Sequence, residues 1–308
     1  MGRIKELDYL KGVLILLVIS FHLVHFEQLH PYAKQVVYAF HMPAFLLISG
    51  YLMNVGKAPG AFLRTLFWLF VPYIIMESGY IVMASRLPIS EHVDLLTPTA
   101  YLDHLLLHPL GPYWYLHTLV LCGAIYYAAF YPRHEGQYSV LSLCLRFSLM
   151  GIAYYLLTLL PMKVGEVSYF LAGAVIRQSG KSLPSVFRPS PIAVLLFLLL
   201  IIPEVSVVGS AFSVLIVYFA ISSLLWLCAV TPSRCREWVC FLGRGSLRLY
   251  VFSPIFTILC KHFVPYLEFD PTGLLFLLVS LLTCVSGSLA IGRVMDLTGI
   301  SRFFFGKV

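Results

Sequence analysis

The stretch YLKGVLILLVISFHLVHF, residues 9–26, is apolar along most of its length yet carries Lys11, His22 and His25. A membrane-crossing helix needs about 20 predominantly apolar residues. The segment therefore reads as a span, and its ionisable groups fall at a depth where charge is costly and marks function. The next stretch, VVYAFHMPAFLLISGYLMN at 36–54, repeats the pattern with His41 near its outer end. Further apolar segments follow at 62–84, 113–131, 139–160, 165–177, 190–203, 207–230, 246–263 and 272–294. The segments at 165–177 and 190–203 are short, as in a broken or re-entrant pair. The longest hydrophilic stretches are 85–112, 177–190 and 231–245.

Composition supports the same class. Of 308 residues, 60% are hydrophobic and 11% charged, against about 25% charged in a soluble domain. A soluble globule, a disordered chain and a disulfide-stapled secreted domain are excluded. The expected fold is an all-α polytopic membrane helix bundle of about ten transmembrane helices, one domain over residues 1–308. The basic N-terminus before residue 9 resembles a signal peptide, but no A-x-A site follows, so it reads as a retained first span. Seven cysteines with no metal-binding spacing read as buried free thiols.

The net charge of +7 reads as loop charge that orients the chain, not as nucleic-acid binding, for which no motif is present. With the N-terminus inside, fourteen cations fall in inner loops and tails, including Arg3, Arg133, Arg234, Arg236, Arg244 and Lys307; four fall outside, Lys34, Arg86, Lys163 and Lys261. This bias places both termini in the cytoplasm.

Two layers of polar residues follow. On the helical rise, His22, His41, Glu77 and His117 all fall about 6–11 Å below the outer surface, which suggests a water-accessible pocket opening outward. His25 lies one turn beyond His22, and Trp114 sits at the outer end of the fourth segment. Lys11 and His22 are eleven residues apart, three helical turns, and so share one face. The inner layer is Lys11, Arg64 and Arg146, joined by Arg248, and it suits a polyanion arriving from the cytoplasm. Snorkelling to lipid phosphates is the plainer reading of such cations. Three histidines suit zinc, but no tight His-x₃-His pair lies on one helix, so no metal is expected.

These residues sit in recognisable strings. Leu7-Asp8-Tyr9-Leu10-Lys11-Gly12 runs to Ser20-Phe21-His22, and Phe40-His41-Met42-Pro43 runs to Ser49-Gly50-Tyr51-Leu52. Arg64 stands eight residues before Pro72-Tyr73. Trp114-Tyr115-Leu116, Tyr169-Phe170-Leu171-Ala172-Gly173 and Leu242-Gly243-Arg244-Gly245-Ser246-Leu247 through Tyr250 follow in order. Together they resemble the integral-membrane acyltransferase-3 family, which includes bacterial surface-polysaccharide and fucose O-acetyltransferases. The resemblance implies acyl-CoA, most often acetyl-CoA, as co-substrate with no bound cofactor. It implies a glycan or lipid-linked sugar hydroxyl as acceptor and residence in the bacterial cytoplasmic membrane among membrane lipids. Lys11 stands where the family pattern has Arg, Phe67 where it has a second Arg after Arg64, and Ser253 where it often has His.

The expected chemistry is O-acyl transfer. His22 is the general base, with Glu77 orienting it and His41 either placing the acceptor or polarising the thioester. Either histidine equally suits an acyl-imidazole intermediate. Lys11, Arg64 and Arg146 would bind CoA phosphates, and His25, Trp114 and His117 would line the acceptor pocket. A proton-coupled transporter also fits intramembrane His and Glu with proline-broken helices. It differs in moving solute without consuming acyl-CoA. An inactive scaffold is the third reading, and activity of purified protein excludes it.

Overall fold

The computed structural model describes residues 4–86, 92–131, 138–159, 166–203 and 212–306. Of the loop cations used for orientation, Arg3, Arg133, Lys163 and Lys307 lie outside these residues, as do the start of the segment expected at 207–230 and the adjoining ends of those at 139–160 and 165–177. The described residues are all-α, with no strand among them.

In chain order the N-terminal helices are α1 (Lys5–Ser20), α2 (Val24–Leu29), α3 (Pro31–Tyr38) and α4 (His41–Leu52). Then come α5 (Pro59–Ala84), α6 (Pro98–Leu106), α7 (Trp114–Phe130), α8 (Val140–Leu159) and α9 (Val167–Gln178). The later helices are α10 (Leu183–Phe187), α11 (Pro191–Leu200), α12 (Ser213–Val230), α13 (Ser233–Arg244), α14 (Ser246–Leu259), α15 (Val264–Leu267), α16 (Leu274–Leu297) and α17 (Ser301–Phe304). Several starts are written into the sequence. Thr97 and Ser190 cap α6 and α11 by accepting the Ala100 and Ala193 amides, each followed by a proline at the first helical position. Asp270 fastens the start of α16 by accepting the Leu275 amide and the Thr272 hydroxyl and amide. These bonds hold its carboxyl below the ordinary aspartate range, the Leu275 amide first.

Among the described residues, six helices are long and apolar enough to cross a membrane: Pro31–Leu52, Pro59–Ala84, Val140–Leu157, Ser213–Val230, Ser246–Leu267 and Leu274–Leu297. The chain is an all-α membrane helix bundle. The other expected segments form shorter helices: α1, α7, α9 and α11. Pro43 lies in the first turn of α4, where its missing N–H is not needed. Pro72 and Pro254 lie inside α5 and α14.

Two expectations are corrected here. Residues 9–26 are not one helix: α1 stops at Ser20 and the chain turns through Phe21-His22-Leu23 before α2. The face shared by Lys11 and His22 on a continuous helix therefore does not exist. Nor is 231–245 a loop. It forms α13, whose Val239, Cys240 and Gly243 pack inward while Arg234, Trp238 and Arg244 point out.

Two compact units organise the helices: Met1–Phe45 with Lys181–Thr298, and Leu46–Gly180 with Gly299–Val308. In the first, α1 is packed by α12, α13, α14 and α16. Leu10, Leu14, Ile15 and Ile19 of α1 are fully buried among them. Lipid tails are as apolar as leucine, so association rests on close packing and polar links. The α1–α13 crossing shows the first: a Cβ on Gly12 would meet the Val239 carbonyl oxygen at 2.1 Å, and one on Gly243 the Asp8 oxygen at 1.7 Å. Arg248 shows the second, forking onto Asp296 of α16 at 2.7 and 2.8 Å. In the second unit α5, α7, α8 and α9 pack as sequence neighbours. There α4 and α9 meet through another reciprocal pair, Gly50 against the Phe170 oxygen and Gly173 against the Leu47 oxygen.

Candidate active site

The break after α1 builds the site. The His22 amide bonds the Ile19 carbonyl at 3.2 Å, one residue short of helical register. This releases the Val18 carbonyl, and the His22 Nδ1–H takes it at 2.7 Å. A carbonyl only accepts, so Nδ1 carries the proton, and the neutral ring presents Nε2 as a lone pair. His41 repeats the device at the α3–α4 junction. Its Nδ1–H donates to the Val37 carbonyl at 2.7 Å, and it too is left with a basic Nε2. His41 is buried, whereas His22 is partly exposed.

Tyr38 lies between the two imidazoles, its ring centre 6.3 Å from His22 and 5.0 Å from His41. Its hydroxyl donates to the Phe21 carbonyl at 3.0 Å, which ties α3 to the turn carrying His22. Lys34 lies 5.4 Å over the Tyr38 ring and pairs with Glu27 at 3.0 Å. None of Tyr38, Lys34 and Glu27 is among the site residues expected from the sequence. The usable signal was the four-residue spacing of Lys34 and Tyr38, which puts them on one helical face. His25 meets Phe276 of α16 edge-on at 5.0 Å.

In the second unit, Glu77 and His117 fasten the segment after α6. The fully buried Glu77 accepts the Leu110 amide. His117 Nε2–H donates to the Leu106 carbonyl at 3.0 Å, and the Tyr73 hydroxyl to the Leu105 carbonyl at 2.6 Å. Tyr73 and His117 lie 5.4 Å apart. These carbonyls end a helix and have no intrahelical donors, so the bonds replace caps. Glu77→Ala should cost about 1 kcal/mol by removing the acceptor of the part-buried Leu110 amide, and Glu77→Gln should retain most of that stability because its side-chain oxygen still accepts. Thermal unfolding of the two variants checks this. Trp114 is half-buried and meets Tyr115 edge-on at 6.5 Å. The Tyr115 hydroxyl in turn bonds Ser49 at 2.6 Å, which joins two of the sequence strings.

The three cations expected to bind phosphate differ in what they touch. Lys11 pairs with Asp8 at 3.1 Å on its own helix. Arg146 donates to the Ala129 carbonyl at 2.7 Å, at the C-terminal end of α7, and stacks on Tyr138 and Phe130. Arg64 is exposed on α5. Among the described residues no group of three His, Cys, Asp or Glu is placed to hold a metal.

Comparison with known proteins gives the family. The family model described as the acyltransferase domain, acyltransferase 3, matches residues 4–293. The chain belongs to this family, and its apolar helices make it a multi-pass membrane protein. A stretch of 68 residues is 44% identical to the nodulation protein NolL of Sinorhizobium fredii (strain NBRC 101917 / NGR234), covering 20% of this chain and 17% of that protein. The match thus spans under a fifth of that relative's length. No solved structure matches the chain.

Proposed function

We propose that the protein transfers an acyl group, acetyl first among the candidates, from cytoplasmic acyl-CoA to a hydroxyl of a cell-surface glycan or lipid-linked sugar in the bacterial cytoplasmic membrane. The observation that carries this reading is the Nδ1–H anchor of His22, which leaves Nε2 as a fixed base at the partly exposed end of α1. In the direct route, His22 Nε2 takes the acceptor's hydroxyl proton as the oxygen attacks the thioester carbonyl. The carbon–sulfur bond then breaks, and the imidazolium returns the proton to the departing CoA thiolate. His41, anchored in the same tautomer, has no donor at Nε2 when neutral. It therefore suits accepting a bond from the acceptor sugar better than polarising the thioester. Lys11, Arg64 and Arg146 remain the proposed phosphate contacts, of which Arg64 is the most accessible.

Protein in lipid vesicles, given acyl-labelled acetyl-CoA and a bacterial glycan extract, should release free CoA and label the glycan. Solute movement without CoA release would overturn the reading. Tyr38→Phe tests the support of the base. Losing the 3.0 Å bond to Phe21 removes about 1 kcal/mol of turn stability, so kcat should fall roughly fivefold with KM for acyl-CoA unchanged.

A further inference from the structure

We infer that α13 is a binding surface for anionic phospholipid headgroups of the cytoplasmic leaflet. The chain leaves one membrane-length helix, α12, at Val230 and enters the next at Ser246. The helix between them therefore lies at the membrane boundary, on the side where cations concentrate. It carries three arginines and one glutamate in twelve residues. Its inward face is fixed: Gly243 and Val239 close on Asp8 and Gly12 of α1, and the Cys240 thiol donates to the Lys5 carbonyl at 3.6 Å. The opposite face is exposed among the described residues. Arg234, Trp238 and Phe241 recur at four- and three-residue steps and form one stripe, with Trp238 69% exposed. Arg244 is exposed at its end, 5.6 Å from the Phe241 ring. Arg234, Glu237, Trp238 and Phe241 line a shallow groove on this face.

The occupant follows from the chemistry. Tryptophan beside an apolar ring sits at headgroup level, and arginine forks onto phosphate. Exposed arginines at both ends of the stripe add attraction for a net negative headgroup over a zwitterionic one. Glu237 lies on one edge of the stripe and opposes this only in part, since the helix stays net positive.

The native thiols give the test. Cys144 and Cys235 are exposed and the other five cysteines are buried. In the full chain with Cys144→Ser, a fluorophore on Cys235 reports contact with lipids spin-labelled at the headgroup. In phosphatidylcholine vesicles, labelled phosphatidylglycerol should quench at a lower mole fraction than labelled phosphatidylcholine, by about fivefold for each arginine engaged. Arg234→Gln with Arg244→Gln should abolish the difference, and the matching Arg→Lys pair should keep it. Raising salt on the unsubstituted arginines should also erase it, which gives a reading that needs no variant to fold. Equal quenching by both lipids at low salt overturns the proposal. So does quenching by aqueous iodide with none by either lipid.

Discussion

His22→Ala should lower kcat by about 10²–10⁴, the usual contribution of a positioned general base, while leaving the protein folded. The two consequences of the substitution can be separated by size. The rate loss corresponds to about 3–5.5 kcal/mol of transition-state stabilisation. The structural loss is one side-chain bond to the Val18 carbonyl at a partly exposed helix end, about 1 kcal/mol. A thermal unfolding curve should therefore move by a few degrees while turnover collapses. His41→Ala supplies the comparison. If His41 only places the acceptor, acceptor KM rises more than kcat falls; if it forms an acyl-imidazole, acylated protein accumulates from acyl-CoA in the absence of acceptor and disappears in that variant. An unchanged rate in His22→Ala, with its fold intact, would remove the histidine from the mechanism.

Hydropathy was enough to reveal a membrane helix bundle, because lipid demands long apolar helices and this chain supplies them. It could not show where α1 ends. Phe21, His22 and Leu23 include no helix breaker, and the turn arises because the imidazole takes the carbonyl that its own amide would have used. That competition is local chemistry, invisible to a window average. The same turn brings the Phe21 carbonyl to the Tyr38 hydroxyl and the Tyr38 ring within 6.3 Å of His22, so hydropathy hides that half of the cluster along with the break. Helix α13 was missed for the opposite reason. Its charge lowers its hydropathy, although Val239, Cys240 and Gly243 fall on one face. Glu77 and His117 stand out in the sequence as polar groups within apolar segments, and both side chains are buried. What sequence withheld was that each bonds backbone at or just beyond the end of α6, since those partners are backbone atoms with no residue-type signature.

Gly243→Ala should be among the most damaging single-methyl additions in the protein. In an ordinary helix interior alanine gains about 1 kcal/mol over glycine, so the sign depends on what the new carbon meets. At Gly243 it meets backbone: the Asp8 oxygen at 1.7 Å, the Asp8 carbonyl carbon at 2.7 Å and the Gly12 nitrogen at 2.8 Å. No rotamer relieves backbone, so α1 and α13 must separate, and overpacking of this kind costs about 3 kcal/mol. The clash outweighs the propensity gain, and the apparent unfolding temperature should drop by roughly 3–5 °C. Gly245→Ala is the control, because its nearest neighbour is the Leu242 oxygen at an ordinary 3.6 Å, and its melting point should stay within about 2 °C of the parent. Gly12→Ala strains the same crossing from the other side, at 2.1 Å from the Val239 oxygen. Once one substitution has parted the helices, the second should add less than its own cost. The crossing also holds Asp8, the partner of Lys11, so Gly243→Ala at a permissive temperature should raise KM for acyl-CoA if Lys11 contacts the donor. Equal melting temperatures for Gly243→Ala and Gly245→Ala would show that the two helices do not meet at these glycines.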